Sequence, residues 1–201
     1  MLLFAGLGNP GGKYARNRHN AGAMAVEAIA AHYRFGPPRR RFRGVARDGL
    51  IAGRKVVCLI PETFMNLSGQ SVGEAIRFFR LGPAETVVFH DELDLAPGKL
   101  RVKTGGGNGG HNGLRSIDAH IGPGYRRVRI GIGHPGAKEL VTPYVLNDFT
   151  REDEDWLAAL LGAIAREAEF LIDGKDAEFQ NRVAMALQSK VQAEPQPGVR
   201  R

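Results

Sequence analysis

Leu2-Leu3-Phe4-Ala5-Gly6-Leu7-Gly8-Asn9-Pro10-Gly11-Gly12 is the stretch from which the fold can be read. Its first residues are uniformly apolar, as a strand covered on both faces must be. The glycines then end it in a turn. After a polar interval, Ala21, Met24, Ala25, Ala28, Ile29 and Tyr33 recur at helical spacing. A buried strand, a turn and an amphipathic helix make the opening unit of an α/β domain.

The rest of the chain repeats this alternation. Residues 45–50 and 55–60 read as a hairpin turning around Ala52-Gly53. Phe64, Leu67, Ser71, Val72, Ala75, Ile76 and Phe79 mark a second helix, and 86–90 a buried strand ending at Asp91. Half-exposed strands are expected over 99–104 and 126–132, and helices over 111–121, 151–172 and 175–187. The hairpin rules out a wholly parallel sheet. The expectation is a single α/β domain over 1–188, with a mixed, mostly parallel twisted sheet flanked by helices. Residues 189–201 are polar and Pro-containing, and are expected to be a disordered tail.

Composition narrows the partners. With 28 Lys+Arg against 21 Asp+Glu the formal net charge is +7, and the pI is about 9.9. Such a field favours a polyanion. Arg39-Arg40-Arg41-Phe42-Arg43 is the densest cationic run, read as a solvated strand edge or loop, or as a neighbour of phosphates. No apolar run reaches the roughly 18–20 residues of a membrane span. The N-terminus lacks the basic and apolar segments of a secretion signal. Cys58, the lone cysteine, sits in an apolar strand, which fits a reducing cytoplasm.

Three motifs point elsewhere and each fails on context. Gly6-Leu7-Gly8-Asn9-Pro10-Gly11 matches the dinucleotide fingerprint, but no helix opens at once to hold a phosphate. Gly105-Gly106-Gly107-Asn108-Gly109-Gly110 matches the same pattern, and no suitable acid ends the strand that follows. Gly69-Gln70-Ser71-Val72-Gly73 matches the nucleophile elbow of serine hydrolases, with Asp91 and His111 downstream. Ser71 nevertheless lies within a helical apolar stripe rather than at a strand end. The six histidines show no spacing typical of metal ligands, so no metal is expected.

A set of polar residues remains at strand ends and in glycine loops: Asn9, then Asn17-Arg18-His19-Asn20, Asn66, Asp91, and His111-Asn112. Ligands of open α/β sheets bind outside the carboxyl ends of the strands. Taken singly, each residue is equally readable as a cap or a turn former. Their motifs form a longer pattern. Gly6 to Gly11, Tyr14, and Arg18-His19-Asn20-Ala21-Gly22 are followed by Thr63-Phe64-Met65-Asn66-Leu67-Ser68-Gly69. His90-Asp91-Glu92-Leu93-Asp94 comes next, then Gly105-Gly106-Gly107 and Gly109-Gly110-His111-Asn112-Gly113-Leu114. Arg129-Ile130-Gly131-Ile132-Gly133-His134-Pro135 completes it. In order and spacing these blocks resemble the bacterial-type peptidyl-tRNA hydrolase family, from residue 1 to about residue 185. Asn108 stands where that family varies.

The resemblance implies an esterase that frees tRNA from peptidyl-tRNA which has dropped off or stalled on ribosomes. It implies His19 as the base that activates water and Asp91 as the group that orients its ring. Asn9 and Asn112 complete the catalytic set, with one of the amides stabilising the oxyanion. Tyr14, Phe64, Met65, Asn66, His111 and Asn112 are implied to hold the substrate end. Lys103 and Arg129 are implied to clamp the 5′ phosphate of the acceptor stem. No cofactor is implied. The implied partner is the acceptor arm of tRNA, with ribosome association as a further expectation. The implied form is a cytoplasmic monomer.

Overall fold

The computed structural model describes residues 1–193, and for 190–193 the backbone alone. Seven strands form one sheet: β1 (Leu2–Gly6), β2 (Arg39–Arg41), β3 (Gly44–Ile51), β4 (Arg54–Pro61), β5 (Thr86–Glu92), β6 (Leu100–Thr104) and β7 (Arg126–Gly131). Their order is β2-β3-β4-β1-β5-β7-β6. The centre is parallel, with β1 between β4 and β5, and β5 beside β7. The margins are antiparallel: β2 on β3, β3 on β4, and β6 on β7. The expected mixed sheet with a parallel core is therefore present.

Helices cover both faces, as a parallel centre demands. One layer is built by α1 (Ala21–His32), α5 (Glu154–Arg166), α6 (Glu169–Ile172) and α7 (Asp176–Ala193). They pack with Phe4, Val87, Phe89 and Val128. The opposite layer, α2 (Ser68–Phe79) and α3 (Asn112–Ile121), covers Leu3, Ala5, Val57 and Val88. The alternation along β1 explains the division: Leu2 and Phe4 face one layer, Leu3 and Ala5 the other. A short helix, α4 (Val141–Val145), follows β7.

Two expectations need correction. The single helix expected over 151–172 is a 3-10 turn at Arg151–Asp153 followed by α5 and α6. At the break, the Arg166 carbonyl accepts from the Tyr33 hydroxyl at 3.2 Å, and at the end of α6 the Leu171 carbonyl accepts from Arg126 at 2.8 Å. Tertiary donors substitute for the interrupted ladder, and local periodicity carries no trace of them. Helical backbone also continues through Ala193, past the boundary that composition suggested at 188. The expected disorder of 194–201 lies outside the described residues.

The serine-hydrolase reading fails on position. Ser71 is fully buried on α2 and donates to the Phe42 carbonyl at 2.5 Å. A Cβ on Gly69 would come within 2.2 Å of the Ser116 carbonyl, so this glycine lets α2 lie close against α3.

Candidate active site

Two glycines set the distance between the first helix and the sheet. A Cβ on Gly22 would stand 2.0 Å from the Phe89 carbonyl, and one on Gly6 would stand 2.5 Å from the Gly22 carbonyl. No other side chain fits where these backbones meet. The N-terminus of α1 is thereby pressed onto the end of β5. The 3-10 turn Arg18–Asn20 leads directly into that helix. His19 is consequently delivered to Asp91, across 72 residues of sequence.

The His19 Nδ1 lies 2.9 Å from each Asp91 carboxylate oxygen. His111 Nε2 lies 2.9 Å from Asp91 Oδ1. An ionised carboxylate only accepts hydrogen bonds, so each ring presents an N–H to it. On His19 this puts the proton on Nδ1 and leaves the lone pair on Nε2. On His111 the other nitrogen is also committed. As N-cap of α3, its Nδ1 accepts from the backbone N–H groups of Gly113 at 3.1 Å and Leu114 at 3.4 Å. His111 thus holds the Asp91 oxygen that His19 also contacts, the two ring centroids lying 4.8 Å apart.

Burial gives these contacts their strength. The side chains of His19, His111 and Asp91 are 12%, 9% and 3% exposed. Burial of the His19 ring acts to lower its pKa, but the Asp91 charge and hydrogen bond outweigh it, and the result lies above the ordinary histidine value. Burial would raise the Asp91 carboxyl, yet both imidazoles hold it well below the carboxylate range. The neighbouring His90 behaves in the opposite way. Burial and His111 push its pKa down to about 3, against the pull of Asp91. His90 is therefore a neutral core ring, and its Nδ1 donates to the Asp91 carbonyl at 2.7 Å.

The fold also gathers one donor atom each from His19, Asp91 and His111 within 4.8 Å of one another. Linear spacing hides this potential ligand set, since the three residues come from a turn, a strand end and a helix cap. The 2.9 Å N···O separations are those of charge-assisted hydrogen bonds.

Asn9 is held beside this triad. Its backbone N–H donates to Asn20 Oδ1 at 3.0 Å, and its carbonyl accepts from Asn20 Nδ2 at 3.0 Å. Its side-chain oxygen accepts from the Met65 N–H at 2.9 Å. With Oδ1 committed in this way, the amide is oriented and its NH2 is the end left to donate. Met65 itself is buried. Phe64, before the 3-10 turn Met65–Leu67, is 56% exposed, and Asn66 within that turn is exposed. Asn112, the first residue of α3, is exposed, and its Oδ1 accepts from Arg115 at 3.2 Å. Tyr14 ends the 3-10 turn Gly12–Tyr14 and is half-buried, with the Lys13 ammonium 4.7 Å over its ring.

The cationic pair stands apart. In the antiparallel pairing of β6 with β7, Lys103 lies opposite Arg127 and Arg101 opposite Arg129, so Lys103 and Arg129 share a face as diagonal neighbours. Lys103 is exposed. The Arg129 Nε instead donates to Glu92 at 2.9 Å. A concavity of about 670 Å³ lies elsewhere, between β6, α5 and α7 around Leu100, Trp156 and Val183.

Two supports went unread in the sequence. Asn20 appears within a motif, but its clamp on Asn9 is a tertiary contact. The second support begins at Arg18, which is buried, donates to the Asp148 carbonyl at 2.8 Å and pairs with Asp153 at 3.0 Å. Its guanidinium lies 4.5 Å from the Tyr144 ring centroid. A β-bridge joins Asn17 to Asp148 alongside. The segment after β7 therefore braces the turn carrying His19. No periodicity or motif marks Asp148 or Asp153.

Comparison with known proteins supplies the family. A family model described as peptidyl-tRNA hydrolase matches residues 3–193. A peptidyl-tRNA hydrolase of Cereibacter sphaeroides is 64% identical over 188 residues, covering 94% of this chain and 84% of the relative. One from Parvibaculum lavamentivorans is 58% identical over 196 residues, covering 97% and 96%. The crystal structure of peptidyl-tRNA hydrolase from Acinetobacter baumannii superposes with a TM-score of 0.86 at 42% identity, covering 91% of this chain and 94% of that one. The chain belongs to the peptidyl-tRNA hydrolase family and is a hydrolase of that kind.

Proposed function

We propose that the protein hydrolyses the ester joining a peptide to the terminal ribose of tRNA, with water activated by His19 and no covalent enzyme intermediate. The observation that carries this mechanism is the His19–Asp91 contact, which commits Nδ1 and leaves Nε2 as the basic atom. Nε2 takes a proton from water as the oxygen attacks the ester carbonyl. Asp91 stabilises the imidazolium that forms, and His111 keeps the carboxylate in place. The proton on Nε2 then passes to the departing ribose oxygen, which restores the neutral ring.

The negative charge that develops on the carbonyl oxygen needs a prepositioned donor, which is worth roughly 10²–10³ in rate in other hydrolases. Asn9 meets the structural requirement, since the Met65 N–H holds its amide oxygen and leaves the NH2 to donate. The same amide, or that of the exposed Asn112 or Asn66, is suited to a peptide carbonyl. An N-blocked substrate offers an amide at that point, whereas a free aminoacyl ester offers an ammonium whose burial is costly. Tyr14 and the exposed Phe64 provide surfaces for the terminal base or sugar. Lys103 and Arg129 are assigned to the phosphate of the acceptor stem, Arg129 exchanging part of its bond to Glu92 for the phosphate.

The protein would accordingly act in the cytoplasm as a monomer, recycling peptidyl-tRNA released or stalled during translation, in association with the ribosome. No helix among the described residues is long and apolar enough to cross a membrane, which is compatible with that setting. The test is release of an N-acetylated amino acid from tRNA, beside the same tRNA carrying the unblocked amino acid. The blocked ester is expected to be cleaved and the free one spared, and Asn9→Ala to narrow the ratio about tenfold or more. Equal cleavage of both esters by the unaltered enzyme would remove the proposed selectivity.

A further inference from the structure

The Arg39 to Arg43 run is not used by the mechanism above. It forms β2, the outermost strand of the sheet, and the turn that follows. We propose that this hairpin, with the end of α2, is a second RNA-binding surface, where a strand with unstacked bases lays its phosphates on Arg39, Arg40 and Arg43 and a base on the Arg41–Phe78 stack.

Four observations carry it. Arg40 is 86% exposed on its side chain, and the neighbouring acids Glu62 and Glu74 lie 3.6 Å from Arg40 and 3.4 Å from Arg43, leaving a cationic excess. The Arg41 guanidinium rests 4.7 Å from the ring centroids of both Phe42 and Phe78. Phe78 is itself 61% exposed, so an aromatic ring with a guanidinium against it faces solvent. Such platforms stack unpaired bases. The turn is held in an unusual backbone, with Phe42 at φ 55° and Arg43 at φ 51°. Hairpins ordinarily give that conformation to Asn-Gly. Here it is enforced by the buried Phe42 ring, 5.3 Å from those of Phe78 and Phe79, by the Ser71 hydroxyl on the Phe42 carbonyl, and by Arg43 donating to Gln70 at 2.6 Å. The arginines are thus presented by a braced turn, so less freedom is lost on binding.

Location separates this surface from the proposed phosphate clamp. Gly44 pairs with Pro61, and the Glu62 N–H donates to the Arg43 carbonyl at 2.9 Å, so the turn shares the sheet end that carries the site. Lys103 and Arg129 stand on β6 and β7, at the opposite side of the sheet. A duplex on that clamp leaves the β2 edge open to a further RNA segment. An anionic membrane is the weaker match, because the exposed aromatic surface is essentially Phe78 alone.

The experiment measures binding of a labelled oligouridylate of about twelve nucleotides, and of deacylated tRNA, to the full chain at several salt concentrations. The variants are Arg39→Gln/Arg40→Gln/Arg41→Gln, the same three positions changed to Lys, and Phe78→Ala. The Gln variant is expected to weaken oligouridylate binding about tenfold or more and to reduce the salt slope by roughly 1.4, near 0.7 for each of the phosphates held by Arg39 and Arg40. The Lys variant should keep the slope and lose affinity with the stack, and Phe78→Ala should lose about fivefold or more. Weakening of oligouridylate alone assigns the surface to a separate strand, and weakening of both RNAs assigns it to the body of tRNA. Unchanged RNA affinity and slope in the Gln variant would overturn the proposal, as would a loss confined to vesicles of anionic lipid. Cleavage of an ester on a short acceptor-end fragment should be unaltered in all three variants, so failure here is distinguishable from failure of the hydrolase mechanism.

Discussion

Two charged clusters of this molecule obey opposite rules. At the ends of β1 and β5, His19, Asp91 and His111 are nearly closed to solvent and joined by hydrogen bonds of 2.9 Å. On β6 and β7, Lys103 is exposed and Arg129 is already paired with Glu92. In the first cluster low dielectric and fixed geometry let small groups move pKa values and hold one tautomer. In the second, water and salt screen Lys103 while the half-buried Arg129 is held by Glu92, and the groups are suited to attracting a polyanion rather than to chemistry. The difference shows which measurement each cluster should move: turnover for the buried one, affinity and salt dependence for the exposed one.

The sharpest way to break that contrast is His19→Ala. Loss of the base should lower turnover by ~10²–10⁴ while tRNA affinity stays within about twofold. The pair of measurements is single-turnover hydrolysis and equilibrium binding of deacylated tRNA. A variant that loses binding and turnover together would mean that the buried cluster is not a catalytic device.

Asp91→Asn comes next. The neutral imidazole is the active form, so the rate should rise with pH through the raised His19 pKa, with a midpoint above the model-compound value of 6.5. Removing the carboxylate charge leaves burial, which favours the neutral ring. The midpoint should then move to lower pH while the plateau falls by ~10²–10³. Rate–pH profiles of the two proteins decide it, and a midpoint that stays in place would separate Asp91 from the titration of His19.

The smallest effect is expected at the exposed cluster. Lys103→Ala with Arg129→Ala should weaken tRNA binding about tenfold and reduce the slope of log affinity against log salt by roughly 1–2. Turnover of bound substrate should change little. Arg129→Ala also leaves Glu92 without its partner, so Arg129→Gln is the milder control. A large fall in turnover with no change in salt slope would place these residues in the chemistry and dissolve the contrast.

The two clusters also differ in how far they could be read beforehand. His19, Asp91, Asn9 and His111 lie in short blocks beside glycines and strand ends, and their order along the chain was enough to point to the family. The alternation of strands and helices was equally plain, because burial on both faces of a parallel centre leaves uniform apolar runs such as Leu2-Leu3-Phe4-Ala5 and Thr86-Val87-Val88-Phe89. The break between α5 and α6 was not visible, because the donor to the Arg166 carbonyl comes from Tyr33, on another helix end. The pairing of Arg129 with Glu92 is likewise a tertiary contact that neither strand announces by itself.

Periodicity, glycine placement and residue order along the chain therefore specified the fold class, the strand ends that bear polar groups and the family. Those properties are local, and each is written in a few neighbouring residues. Tertiary structure alone decided that one carboxylate oxygen serves both His19 and His111, that Asn20 and Met65 aim the Asn9 amide, and that Arg18 ties the turn carrying His19 to Asp148 and Asp153. Each of these depends on separations of a few ångströms between residues far apart in the chain. The close approach of Gly22 to Phe89 is what brings the histidine and the carboxylate within reach of each other.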